Sequence, residues 1–197
     1  MLLVYDYIPE NSHQLISDLI DKENLIVKIV NTRKTKHGDF RKQKNGKFQI
    51  TINKIDNKYR FLITLIHELA HFKVSNEFKY PTSPHGIEWK NTYKKMMIPF
   101  LNSSVFPEKI LRPLAKHMIN PPATTDSDID LVLGLHHFDL SNDNKKFLFQ
   151  IKDNSKFEFN DKRIFIKICK RRKRYICKEL KTGKRYLFSP VTRISEK

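Results

Sequence analysis

The chain has 197 residues, 39% of them apolar and 30% charged, with a formal net charge of +17. That balance predicts a soluble globular protein, one ordinary domain or one domain with a small appendage, and excludes a disordered chain. No apolar run approaches the roughly 20 residues of a bilayer span, so no membrane association is expected, and the opening MLLVYDYIPEN lacks the basic leader of a signal peptide.

In chain order, NSHQLISDLIDKENL predicts a first helix over 11–25, capped by Asn11 or Ser12, with Leu15, Ile16, Leu19 and Ile20 as its apolar stripe. LIVKIVNTRKT then alternates as a strand from Leu25. The turn KHGD, a short FRKQ segment, the turn KNGK and the alternating KFQITINK complete an antiparallel meander of two or three strands. KYRFLITLIHELAHFKVS holds neither Gly nor Pro and predicts a helix; apolar nearly all round, it is expected at the centre of the fold. After a loop broken by Pro81 and Pro84, IEWKNTYKKMM resumes as a helix with Ile87, Tyr93 and Met97 toward the core. EKILRPLAKHMI predicts a further helix, NPPATTDSD a linker, and DIDLVLGLHHF a short helix capped by Ser127 or Asp126.

From Lys145 the texture changes. FLFQI, KFEFN, RIFIKICK, RYICKEL and RYLFSPVTRI are short segments rich in Phe, Tyr and Ile, separated by Asn-Ser, Asn-Asp and Thr-Gly. They predict a small antiparallel sheet or barrel of four or five strands, with Phe147, Phe149, Phe157, Phe159 and Phe165 mostly in its core. The expected class is α+β, divided into 1–140 and a small basic β domain over 145–197. Residues 145–197 carry 18 Lys and Arg against 5 Asp and Glu, whereas the first 144 carry 20 against 16. Charge so concentrated suggests a polyanion partner, most often nucleic acid; a solvated basic tail is the plainer alternative. Lys170, Arg171, Arg172, Lys173 and Arg174 form one run with Tyr175 beside it, and Arg163, Lys184 and Arg185 lie near in sequence. Cations there would neutralise phosphates without reading sequence, and an exposed Tyr175 would stack on bases. Cys169 and Cys177 are too few for a disulfide framework, so reduced thiols in a cytoplasmic protein are expected.

The chemistry sits in TLIHELAHFKV, where an apolar run carries three costly side chains. On a helix His67 and His71 project from one face, one turn apart, and can share a zinc ion. Glu68 flanks that position about 100° around the helix, placed to act as general base toward a zinc-activated water. A catalytic zinc needs three protein ligands and one open position, and His85, in SPHGIEW, is the best third ligand. The metal itself would stabilise the oxyanion; Tyr93 is a candidate further donor, with packing its plainer role. His13, His37, His117, His136 and His137 are expected at the surface or in supporting positions.

HELAH, followed by a proline-containing loop, PHGIEW and a helix, resembles the SprT-like zinc metalloproteases, which include bacterial SprT proteins and the DNA-dependent protease Spartan. The likeness covers about Leu15 to Met97 and extends more loosely to Phe138, with Trp89 at the family's aromatic position. It implies a zincin-like domain in which His67, His71 and His85 hold one catalytic zinc, Glu68 is the base and an edge strand pairs with an extended protein substrate. It also implies a link to DNA-crosslinked proteins. Many relatives end in a zinc ribbon with CxxC pairs; two cysteines cannot supply four thiolates, so no structural zinc is expected here. Two other readings stand beside the protease. One is a nucleic-acid-binding or transcription-related protein with vestigial protease activity and a structural metal. The other is a metalloprotease whose basic tail meets acidic protein or a membrane surface.

Overall fold

Near the N-terminus a 3-10 turn (Glu10–Ser12) runs into α1 (His13–Leu19), which buries Ile16 and ends where Ile20 turns extended. This computed structural model describes residues 4–20, 25–33, 35–78, 80–140, 144–160 and 162–197. The helix is therefore shorter than the expected 11–25: residues 21–24 lie outside the described residues, and Leu25 opens a strand. Neither proposed cap acts as one. Ser12 turns its hydroxyl back to Pro9 O (2.5 Å), while the Asn11 amide reaches Ser104 O (2.8 Å).

The chain divides into two compact units, Met1–Thr125 with Leu133–Leu140, and Asp126–Val132 with Ser141–Lys197. Segment Asp126–Val132 thus groups with the C-terminal unit, not with 1–140 as the composition suggested.

The first unit contains a three-stranded sheet of β1 (Leu25–Val30), β2 (Gly38–Lys42) and β3 (Phe48–Asn53), in the order β1-β3-β2. β2 and β3 form the expected hairpin, antiparallel with Gly38 opposite Ile52, and its turn uses Gly46 at φ 81°. β1 departs from the expected meander: it pairs with β3 in parallel, Leu25 opposite Phe48 through Val30 opposite Asn53. The reason lies in the crossover after Val30. Asn53 is buried and donates from its amide to Arg33 O (3.2 Å) and Lys36 O (2.8 Å). Arg33 answers with bonds to Asn53 Oδ1 (2.8 Å) and Thr51 Oγ1 (3.0 Å). These bonds pin the crossover over the end of β3, so β1 and β2 flank β3 on opposite sides. The strand predicted to run past Val30 stops there, and Lys34 lies outside the described residues.

Against this sheet packs α2 (Lys58–Glu77). Its capping residue is Asn57, whose Oδ1 accepts the Arg60 N–H (3.0 Å) and whose amide donates to Leu135 O and Asp139. Phe61 to Ile66, Leu69 and Ala70 are buried, so the helix is central as its composition predicted. α3 (Ile87–Met97) buries Trp89, Tyr93 and Met97, while Ile87, expected in the core, is 65% exposed. Its position explains this: Ile87 is the first residue of the helix and stays at the surface, and Trp89 takes the buried place.

α4 (Glu108–His117) and α5 (Ile129–His136) meet through an unusual pair of residues. Pro113 inside α4 has no N–H to give Lys109 O, four residues back, and Gly134 of α5 comes directly against that carbonyl. A Cβ on Gly134 would run into Lys109 O. Gly134→Ala is therefore expected to destabilise by roughly 1–3 kcal/mol, because backbone rather than a flexible side chain must move. Guanidinium melts of the two proteins check it; equal midpoints would sink the close-approach account. The cap of α5 is Asp128, whose Oδ1 accepts the Leu131 N–H (3.3 Å), in place of the expected Ser127 or Asp126.

The second unit is built on a six-stranded sheet, one strand more than expected. Its strands are β4 (Lys146–Phe147), β5 (Lys156–Phe159), β6 (Arg163–Arg171), β7 (Arg174–Glu179), β8 (Arg185–Phe188) and β9 (Arg193–Glu196), in the order β4-β9-β5-β6-β7-β8. Every pairing is antiparallel. The extra strand arises because RYLFSPVTRI breaks at Pro190 into β8 and β9. FLFQI is mostly not a strand: after two residues it turns into a 3-10 segment (Leu148–Gln150). The core comprises Leu148, Ile151, Phe157, Phe165, Cys177, Phe188 and Ile194. Phe147 is also buried, whereas Phe149 and Phe159 are only half-buried. Among the described residues no helix is long and apolar enough to cross a membrane.

Candidate metal centre

One face of α2 brings His67 and His71 together, and the loop before α3 delivers His85 to them. Their Nε2 atoms converge: His71 to His85 is 3.1 Å and His85 to His67 is 3.3 Å. Two nitrogens bound to one tetrahedral ion at roughly 2.0–2.1 Å stand about 3.3 Å apart, the spacing seen here. A neutral imidazole nitrogen carries one hydrogen or one lone pair, so one hydrogen bond serves only one of the two contacts His85 makes. A cation shared by three lone pairs satisfies all of them. The three residues can hold a metal ion.

Their electrostatics favour the ligand form. Burial lowers the His67 pKa to about 3, with His71, His85 and His117 adding positive neighbours. Burial and His85 lower His71 to about 4, and burial lowers His85 as well. Neutral imidazoles near pH 7 leave their lone pairs free for a cation. His117, expected at the surface or in a supporting position, is buried and near enough to act on His67.

Below the three rings lies Trp89, fully covered. Its ring stands 4.6 Å from His67, 5.2 Å from His71 and 4.7 Å from His85, so one indole braces all three. Tyr93 stacks on Trp89 at 4.9 Å and meets the edge of His67. At 1% exposure it packs inside the protein. Burial and the Glu68 charge both push its hydroxyl pKa far up. Tyr93 OH and Trp89 Nε1 are buried without a hydrogen-bond partner among the described residues.

Glu68 is 6% exposed. Burial, reinforced by Asp39, pushes its carboxyl up to about 8, against the pull of Arg33 and Lys36. Those three residues belong to the crossover and to β2. Asp39 accepts Lys36 (2.7 Å) and Arg41 (2.6 Å); burial opposes its charge, but these bonds prevail and lower its pKa. A cation at the histidines would draw Glu68 back toward its ionised form.

Two residues at this site were missed in the sequence. A Cβ on Gly38 would fall 2.5 Å from Glu68 Oε1, and the Phe40 ring stacks over His71 at 6.4 Å and 13°. A glycine within a strand signals close backbone approach, but in KHGD it reads as turn chemistry.

The basic residues are placed differently. Lys170, Arg171, Arg172, Lys173 and Arg174 are all exposed on the β6–β7 hairpin, where Arg171 opposes Arg174 and Arg172 turns the chain at φ 52°. Among the described residues none of the five has an acidic partner. Tyr175 does not join them as a stacking platform: it is half-buried against the core, with Lys167 Nζ 4.0 Å from its ring centre. Lys167 itself is buried and donates to Ile151 O (2.6 Å). Arg163 lies at the opposite end of β6, roughly 25 Å from Arg171 by strand rise, and is engaged with Glu179 (2.7 Å), whereas Lys184 and Arg185 sit beside Glu179 and Lys178, about 15 Å along β7 from Arg174. Cys169 is exposed and Cys177 buried; both are free, and burial pushes the Cys177 thiol up to about 12.

Comparison with protein-family models, with curated proteins and with solved structures returned no match.

Proposed function

We infer that this chain is a zinc-dependent endopeptidase of SprT-like, zincin-like type, acting on proteins associated with or crosslinked to DNA. The observation that carries the reading is the convergence of three imidazole nitrogens beside a buried carboxylate one residue from the first ligand. A metal held only for structure gains nothing from a carboxylate kept at such cost next to it.

In this reading His67, His71 and His85 hold the zinc, and Trp89 keeps their rings from turning. When bound, the zinc supplies Lewis-acid polarisation and makes water a usable nucleophile near neutral pH. Glu68 takes the proton from the attacking water and returns it to the leaving amine. β2 lies at the edge of its sheet and beside Glu68, so its free backbone groups can align an extended peptide as an added strand.

The β6–β7 hairpin supports the DNA part of the reading. Five exposed cations repel one another on a turn whose Arg172 sits in the left-handed region, a conformation that costs roughly 1–2 kcal/mol for a non-glycine residue. Phosphates would relieve the repulsion. Changing all five to glutamine is expected to lower DNA affinity about 10²-fold at physiological salt and to flatten the salt dependence, without altering metal content. Filter binding across a salt series checks this; an unchanged slope would move the contact elsewhere.

The direct test is cleavage of a histone-like protein by zinc-loaded enzyme, with and without DNA, fragments read by mass spectrometry. DNA-stimulated cleavage is expected. Binding of both zinc and DNA with no cleavage of any protein offered would favour the nucleic-acid-binding alternative.

A further inference from the structure

β2 presents alternate residues to α2, and two of them touch the candidate metal centre. Strand alternation turns Asp39 and Arg41 to one face, where they pair with each other (2.6 Å). Gly38 and Phe40 share the other face, against Glu68 and His71 respectively. Phe40 is held in turn by Phe48 at 5.8 Å and by Phe72 at 6.5 Å. The start of β2 is fixed independently of the helix, by Gly38 opposite Ile52 and by the Asn53 N–H donating to His37 O (2.9 Å).

Gly38 has an ordinary strand conformation, so its lack of a side chain serves space and not backbone freedom. A Cβ there would meet Glu68 Oε1 at 2.5 Å, Cγ at 2.7 Å and Cδ at 2.9 Å. The whole outer arm of the glutamate lies where a side chain would stand, so a small shift of the carboxyl tip cannot clear it. Glu68 would have to change rotamer, or β2 would have to leave α2. The three atoms nearest that missing side chain all belong to Glu68 and none to a histidine.

We propose that Gly38 is a positioning residue for Glu68: the bare backbone of the edge strand is the wall that sets the rotamer of the general base. This rests on the protease reading above. One strand then does two jobs, aligning the base through Gly38 and offering its outer edge to the substrate backbone, so proton transfer and peptide register share one rigid reference.

The test compares wild type, Gly38→Ala, Glu68→Gln and the double variant, each assayed for zinc content, helix content and cleavage kinetics. Gly38→Ala is expected to keep its zinc and fold, to lose about 10²-fold in kcat with KM nearly unchanged, and to add nothing in the Glu68→Gln background. Wild-type kcat in Gly38→Ala, or a loss that comes with lost zinc, would overturn the proposal. A double variant much worse than Glu68→Gln alone would do the same. Where Gly38→Ala does not fold, Glu68→Ala is added to remove the clash: recovered folding supports the contact, and continued misfolding refutes it. Should wild type cleave nothing, the protease reading fails separately, and carbon NMR of the Glu68 side chain decides the positioning. A displaced Glu68 signal in Gly38→Ala supports it; an unmoved one sinks it.

Discussion

Glu68→Gln is expected to lower cleavage by about 10²- to 10⁴-fold while leaving zinc binding intact. Glutamine has the same shape and fits against Gly38 as the native side chain does, so neither helix nor strand is disturbed. It cannot accept a proton and hand it on. Because the three Nε2 atoms converge without the carboxylate, metal content should not change. Stability should move the other way. In the metal-free protein burial raises the Glu68 pKa from an ordinary 4.5 to about 8, so between those values the unfolded chain releases a proton that the folded chain retains. Stability is then lost as pH rises through that window, and the neutral amide escapes the loss. The metal-free Gln variant should melt higher than wild type at pH 7. Activity assays, metal analysis and melting together check the claim; a variant that cleaves normally would remove Glu68 from the base's role.

Removing the metal has the second large consequence. Zinc that binds the folded chain alone stabilises it by about 4 kcal/mol at a thousandfold excess over Kd, so chelation should lower the unfolding midpoint and abolish cleavage together. His71→Ala should reproduce both effects, because Glu68 offers no replacement nitrogen. The acid limb carries a further signature. Burial holds the folded-state pKa of His67 near 3 and of His71 near 4, below the ordinary 6.5. From pH 6.5 down to about 4 the unfolded chain therefore binds protons that the folded chain refuses. The stability is complete above pH 6.5 and falls with pH, by at most about 1.4 kcal/mol per pH unit for each histidine. Bound zinc excludes the same protons, so the loaded protein should hold out to lower pH and then lose metal and structure in one step. Guanidinium melts across that range, with and without zinc, test it. Coincident curves would mean that no metal bridges these histidines.

Much of this centre was legible in the chain itself. His67, Glu68 and His71 lie within one and a quarter turns of an uninterrupted helix, and helical spacing alone brings the two imidazoles to one face. His85 was the one histidine following closely in a proline-broken loop, and its Nε2 stands within 3.3 Å of both others. The basic run is exposed on its hairpin for an equally local reason: five consecutive charges on a two-residue turn have nowhere to be buried. Alternation also marked the strands of the second unit, although Pro190 divided one expected strand into two.

What pattern could not supply were relations between distant segments. Alternating residues in β1 look the same whether the strand pairs parallel or antiparallel, and Asn53, twenty residues beyond Arg33, decided the matter by holding the crossover. Tyr175 sits beside five exposed cations in sequence yet turns inward, because the pleat sends it to the face where Lys167 waits. Gly38 reads as a turn residue until Glu68 of α2, thirty positions later in the chain, is laid across it. Sequence alone determined the histidine pair, its helix and the charge on the hairpin, since spacing within one turn and runs of charge act over a few residues. Only the tertiary structure decided which strand confronts Glu68 and how closely, because that contact joins groups which backbone geometry relates only after the sheet has closed on the helix.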